Sequence, residues 1–198
     1  MKKWLVPVLI IGAIVLGIYL LTVGKYNTAV ERQETAQTAW SQVESAYQRR
    51  SDLIPNLVNT VKGAADFERG TLTDVIEARA QATSVNVDAS NITEEQLQQF
   101  QQAQGQVSSA LSRLLVTVER YPELRATTNF QQLQSQLEGT ENRINVERNR
   151  YNQEVRDYNT FIRKFPNNVI VGMYDFDRMP LFESDPGAES APEVDFEF

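Results

Sequence analysis

The sequence predicts an all-α protein: one N-terminal transmembrane helix, then an antiparallel helical bundle of long helices, then a disordered acidic tail. Three observations predict it. Trp4 to Val23 carries no charged residue. Between Glu31 and Lys164 the chain is rich in Gln, Glu, Arg, Ala and Leu, which favours helix. Phe130, Leu137, Ile144, Tyr151, Tyr158 and Phe165 recur every seventh residue without a miss. The chain accordingly divides into an anchor over 1–24, a bundle over 25–182 and a tail over 183–198.

About 20 apolar residues cross a hydrocarbon core about 30 Å thick, so Trp4–Val23 is read as a retained span through which residues 4–23 meet the lipid bilayer. A cleaved signal peptide has a shorter apolar region, of roughly 7–15 residues. Pro7 falls in the first turn, where a missing N–H costs little. Ala13 and Gly17 form a single small-xxx-small pair, the pattern through which two spans approach closely, so a homo-oligomer is one expected partner state. Lys2 and Lys3 precede the span while Lys25 and Arg32 follow it, a thin margin that favours the N-terminus in the cytoplasm. The expected location is the bacterial cytoplasmic (inner) membrane, single-pass, with the bundle outside.

A first bundle helix is expected from Tyr26 to Arg50, continuing the span as a stalk. A second is expected to start at Ser51 or Asp52, with Pro55 in its first turn and an apolar face of Ile54, Leu57, Val58, Val61, Ala65, Leu72, Val75 and Ile76. Gly63 and Gly70 weaken its interior. Thr93 and Gln96 form a capping box that opens a third helix, whose seam is Leu97, Gln104, Leu111, Val118 and Phe100, Val107, Leu114, Tyr121, interrupted only by Gln104; Pro122 ends it. The fourth helix, Phe130 to Lys164, stops at Pro166. Val169-Ile170-Val171 with Phe176 then folds back onto the end of the bundle. Glu183 to Phe198 holds six acidic residues, no basic ones and two prolines, a composition that stays disordered.

Composition removes whole classes of chemistry. Cysteine and histidine are both absent, so no thiolate or imidazole is available as nucleophile, base, metal ligand or disulfide partner. Glu119, Glu138, Glu141 and Glu147 do not make the dinuclear carboxylate pattern, which needs Glu-x-x-His on two helices. Asp175 and Asp177 are too few for a calcium loop. No catalytic residue, cofactor or metal is therefore assigned. The formal net charge of −7 argues against nucleic acid and against contact with anionic lipid.

Arg49-Arg50-Ser51-Asp52-Leu53-Ile54-Pro55-Asn56-Leu57-Val58, followed by Val61-Lys62, resembles the hallmark segment of the LemA family of bacterial membrane proteins. Trp40, Glu119-Arg120-Tyr121-Pro122-Glu123-Leu124-Arg125-Ala126, Asn129-Phe130, Leu137-Glu138-Gly139-Thr140-Glu141-Asn142-Arg143-Ile144, Tyr151-Asn152, Tyr158-Asn159 and Phe165-Pro166 are similar to that family's pattern in the same order. The resemblance covers about Lys25 to Phe182 and implies an N-terminal anchor and an antiparallel helical bundle, without implying an activity. Phe67-Glu68 stands where the family often has a histidine beside the glutamate, and the acidic tail lies outside the shared pattern.

The candidate partner-binding residues are Arg49, Arg50, Lys62, Phe196 and Phe198. The arginines, next to an expected helix start, have the chemistry to hold a phosphate or carboxylate, or else to pair with Asp52, Glu44 or acids of the fourth helix. Phe196-Glu197-Phe198 has the alternate aromatics and free carboxylate that strand-adding pockets capture. The Tyr-Asn pairs are read as core tyrosines with register-fixing asparagines, or alternatively as the lining of a partner groove. The expected function is a non-enzymatic, membrane-anchored scaffold or adaptor of the cell envelope, with another envelope or membrane protein as partner. The alternative is a regulatory partner of a membrane protease or envelope quality-control system.

Overall fold

The computed structural model describes residues 4–63 and 68–183. It is helical, with no strand among the described residues: α1 (Leu5–Lys62), α2 (Arg69–Ser84), α3 (Glu94–Val118), α4 (Pro122–Arg125), α5 (Thr128–Arg163) and α6 (Asn167–Val171). Expectations placed on Ala65, Phe67, Phe196, Phe198 and the disorder of the tail beyond Glu183 lie outside the described residues.

α1 is one helix of 58 residues, so the apolar span and the stalk are continuous through Gly24. The expected start of a second helix at Ser51 is corrected, because α1 runs through it with Pro55 in its interior and ends only before Gly63. A proline in a helix leaves the carbonyl four residues earlier without its donor. Here that carbonyl is Ser51 O, and the Arg79 Nε–H from α2 donates to it at 2.9 Å. In the first turn of a new helix Pro55 would leave no bond missing; in the interior of α1 it does, and a tertiary contact supplies it.

α3 opens on the expected capping box, with Thr93 Oγ1 accepting from Gln96 N–H at 3.2 Å and Gln96 Oε1 accepting from Thr93 N–H at 3.1 Å. It stops at Val118, and Pro122 begins α4. α5 buries Phe130, Leu137, Ile144, Tyr151 and Tyr158 from the seven-residue stripe, together with Val155 and Ile162. Phe165 departs from the stripe: α5 ends two residues before it, the helical register is lost, and the ring is 77% exposed. Ile76, assigned to the apolar face, is likewise exposed.

α5 runs antiparallel along α1, shown by pairs that sum to a constant register: Arg50 with Glu141, and Trp40 with Tyr151. α2 and α3 form a hairpin on this pair, and its apolar residues join Ile54, Leu57, Val61 and Phe130 at the end far from the span. Trp40, Val43, Phe100, Ile144 and Tyr151 fill the middle, and Ala29, Tyr158, Ile162 and Val171 close the end next to the span. Residues 173–183 return from α6 along α5 and bring Phe182 into the middle core.

Candidate functional site

Arg50 lies on the α1 face that meets both α3 and α5, and it is 1% exposed. Its guanidinium donates to Glu141 Oε1 at 2.7 Å, Ser108 Oγ at 2.7 Å, Gln104 O at 3.1 Å and Gln104 Oε1 at 2.7 Å. Its face lies 5.0 Å from the Tyr47 ring centroid. A planar fork of five donors suits such a junction, where a lysine point charge would not. Gln104, the one polar interruption of the α3 seam, is there to accept from this arginine. Arg50 is thus taken up inside the bundle by an acid of the fourth long helix, and it is not placed where a partner could touch it. Neighbouring Arg49 and Lys62 are exposed.

A cavity of about 110 Å³ adjoins Arg50, lined among others by Glu44, Ser51, Arg79 and Thr83. Burial pushes the Glu44 carboxyl up from its ordinary value. Among the described residues no group of three or more acidic residues is gathered as a metal cluster. Glu141 is bound to Arg50, and buried Glu147 to Arg143 at 2.7 Å.

The second polar constellation belongs to the Tyr-Asn pairs. The Tyr158 hydroxyl donates to Asp177 O at 2.9 Å, and the Tyr151 hydroxyl to Pro180 O at 3.0 Å. Asn159 brackets Met179, its Nδ2 donating to Met179 O at 2.8 Å and its Oδ1 accepting from Met179 N–H at 3.0 Å. Asn152 does the same to Phe182, at 3.1 Å and 2.8 Å. The asparagines are seven residues apart on a helix, about 10.5 Å. Met179 and Phe182 are three apart, a span of about 10 Å only if that stretch is extended. Beyond them Arg148 Nη2 and Gln101 Nε2 both donate to Glu183 O, at 3.1 Å and 3.3 Å. The groove between α5 and its neighbours therefore does exist, and the chain's own residues 177–183 occupy it.

Burial pushes both phenols up, Tyr158 to about 12 with a contribution from the nearby Asp177 charge. They are hydrogen-bond donors throughout the physiological range. Sequence reasoning saw the Tyr-Asn repeat but not its ligand, because an extended strap has no periodic signature of its own. It also missed Arg79, whose only signal was that Pro55 leaves one acceptor wanting.

The LemA family model matches residues 39–196. Protein LemA of Metamycoplasma hominis is 24% identical over 166 residues, covering 84% of this chain and 72% of that protein. Magnetosome protein MamQ 2 of Paramagnetospirillum magneticum and magnetosome protein MamQ of Magnetospirillum gryphiswaldense are each 25% identical over 183 residues, covering 84% of this chain and 67% of theirs. The matched stretch contains Arg50, Gln104, Glu141 and both Tyr-Asn pairs.

Proposed function

The chain belongs to the LemA family, and from that membership and the geometry above we propose that this membrane-associated protein is a non-enzymatic scaffold of the bacterial cell envelope, presenting its bundle to partner proteins. The observation that carries the reading is the continuity of α1, which couples an apolar span of membrane-crossing length to the bundle with no break before Gly63. A span joined through a flexible linker would merely tether; an unbroken helix also fixes height and direction. The names of the relatives, LemA and magnetosome proteins, attach no reaction to this architecture. The N-terminus is in the cytoplasm and the bundle outside, following the lysines ahead of the span.

The test places a photocrosslinking amino acid singly at Arg49, Lys62 or Phe198 of the full chain in cells, alongside a C-terminal reporter active only outside the cytoplasm. Discrete protein adducts from Arg49 or Lys62 are expected, with the reporter active. Adducts from Phe198 alone, abolished by deleting residues 196–198, would transfer the function to the C-terminal recognition reading. No protein adduct from any position would sink both.

A further inference from the structure

The end of the bundle next to the span differs from the rest of the surface. Leu21 is 63% exposed, but by Val23 exposure falls to 38%, so the bundle begins to cover α1 at the level where the apolar run ends. Tyr26, one turn further, packs edge-on against Tyr174 at 4.8 Å and Phe176 at 5.5 Å, and Lys25 and Arg32 lie over the Phe161 ring. α5 arrives here running toward the span, and α6 turns beneath it. On this base Phe165, Val169, Met173 and Tyr174 are all exposed within ten residues of one another. Apolar residues scattered singly, such as Val116 and Val146, need no explanation, whereas four within ten residues of chain at one end of the bundle do.

A basic cleft opens from the same end and runs up the side of the bundle. Arg156, Arg163, Lys164 and Arg178 line one open cleft of about 410 Å³ with Asn159, Thr160 and Leu181, and no acidic residue lines it. None of these four makes an ion pair among the described residues. The net charge of −7 argues against anionic lipid for the chain as a whole, and Asp157, Asp175 and Asp177 are near in sequence, but the cleft itself is lined by basic residues and Arg163 and Lys164 stand at its span-side end.

We infer that this base is a lipid-binding surface: Phe165, Val169, Met173 and Tyr174 enter the interfacial layer of the bilayer that α1 crosses, while Arg163 and Lys164 at the span-side end of the cleft, with Arg178 beside them, take the phosphate of an anionic phospholipid. Continuity with the span selects the bilayer as occupant. Aromatic rings sit favourably at headgroup depth, and long basic side chains extend from apolar surroundings to phosphates. The inference rests on the reading of α1 as a membrane span.

The absence of cysteine makes the test direct, because each introduced cysteine is unique. Full chains bearing Phe165→Cys, Val169→Cys or Met173→Cys are spin-labelled in vesicles of phosphatidylcholine with phosphatidylglycerol, and collision with oxygen is compared with collision with a water-soluble nickel chelate. Ile14→Cys reports the span, and Val116→Cys and Val146→Cys report the bundle surface. Labels at 165, 169 and 173 are expected to favour oxygen, between the span and the surface controls. If 14 favours oxygen while 165, 169 and 173 match 116 and 146, the lipid-binding base is wrong and the anchor stands; if 14 also matches them, the anchor itself is wrong. In detergent, the wild-type chain should retain phosphatidylglycerol over phosphatidylcholine by native mass spectrometry. Arg163→Gln, Lys164→Gln and Arg178→Gln should each cut that preference about fivefold, on the scale of a basic residue near an anionic surface, with unchanged melting, and Arg163→Lys should keep most of it. Equal retention of both lipids by wild type and variants would remove the cleft from the proposal.

Discussion

Pro55 and Arg79 show how a residue's cost is met far away in sequence. The Ser51 carbonyl has no helical donor because residue 55 is proline, and Arg79 donates instead. Arg79→Met should therefore lower stability by about 1–3 kcal/mol, the scale of an unsatisfied buried polar group. Pro55→Ala in the same background should recover much of it, since alanine at that position restores the helical N–H; denaturant melts of the two single variants and the double variant measure the coupling. Arg50→Gln should likewise cost about 1–3 kcal/mol, because four hydrogen bonds end on its guanidinium, while exposed Arg49→Gln stays within about 0.5 kcal/mol. Glu44 gives a pH signature. Its folded pKa is raised by burial, so the native state holds its proton longer than the unfolded chain, and stability contributed by the protonated form is lost as pH rises above the ordinary glutamate range. Glu44→Gln should thus raise the melting temperature at pH 7 and change it little at pH 3.5; a larger gain at the acidic pH would contradict the sign. At this scale the sequence offered Asp52, Glu44 and the acids of the fourth helix as alternative partners for Arg50, and the structure selects Glu141. The sequence did not disclose the burial that turns a surface candidate into a core junction.

Among the elements, α5 was the most legible, since five of the six residues in its stripe are buried where the period puts them. The sixth, Phe165, fails because periodicity holds only while the helix does. The strap over 177–183 was the least legible, as its position is written in side chains of α5 rather than in its own sequence. Replacing Asn159 or Asn152 with Leu removes two bonds to one strap residue each and leaves the backbone groups of Met179 or Phe182 unpaired. The strap should open locally, by about 1–3 kcal/mol per variant. Hydrogen exchange at the Met179 and Phe182 amides should accelerate while α1 and α5 amides keep their protection. Equal acceleration throughout would mean that the strap and the bundle open as one unit.

On the scale of the whole molecule, α1 beyond Gly24 rises about 57 Å, so the far end of the bundle stands at a defined height above the span. Composition and the apolar run made this architecture readable, because a rod of amphipathic helices needs only period and length. Gly24→Pro interrupts the helix at the junction of span and bundle, where no neighbour lies within contact of a Cβ. Spin-label distances between Leu21→Cys and Asn129→Cys should broaden in that variant and stay narrow without it. The strap lies parallel to this same rod, entering near the span and fastened at Asp177, Met179, Pro180, Phe182 and Glu183 in turn. Tension applied through Glu183 along the rod would load those fastenings together, in shear, whereas tension applied outward would strip them one after another from Glu183 toward Asp177. The same set of hydrogen bonds therefore resists a pull along the bundle far better than a pull away from it, which makes the C-terminal segment a direction-sensitive mechanical joint.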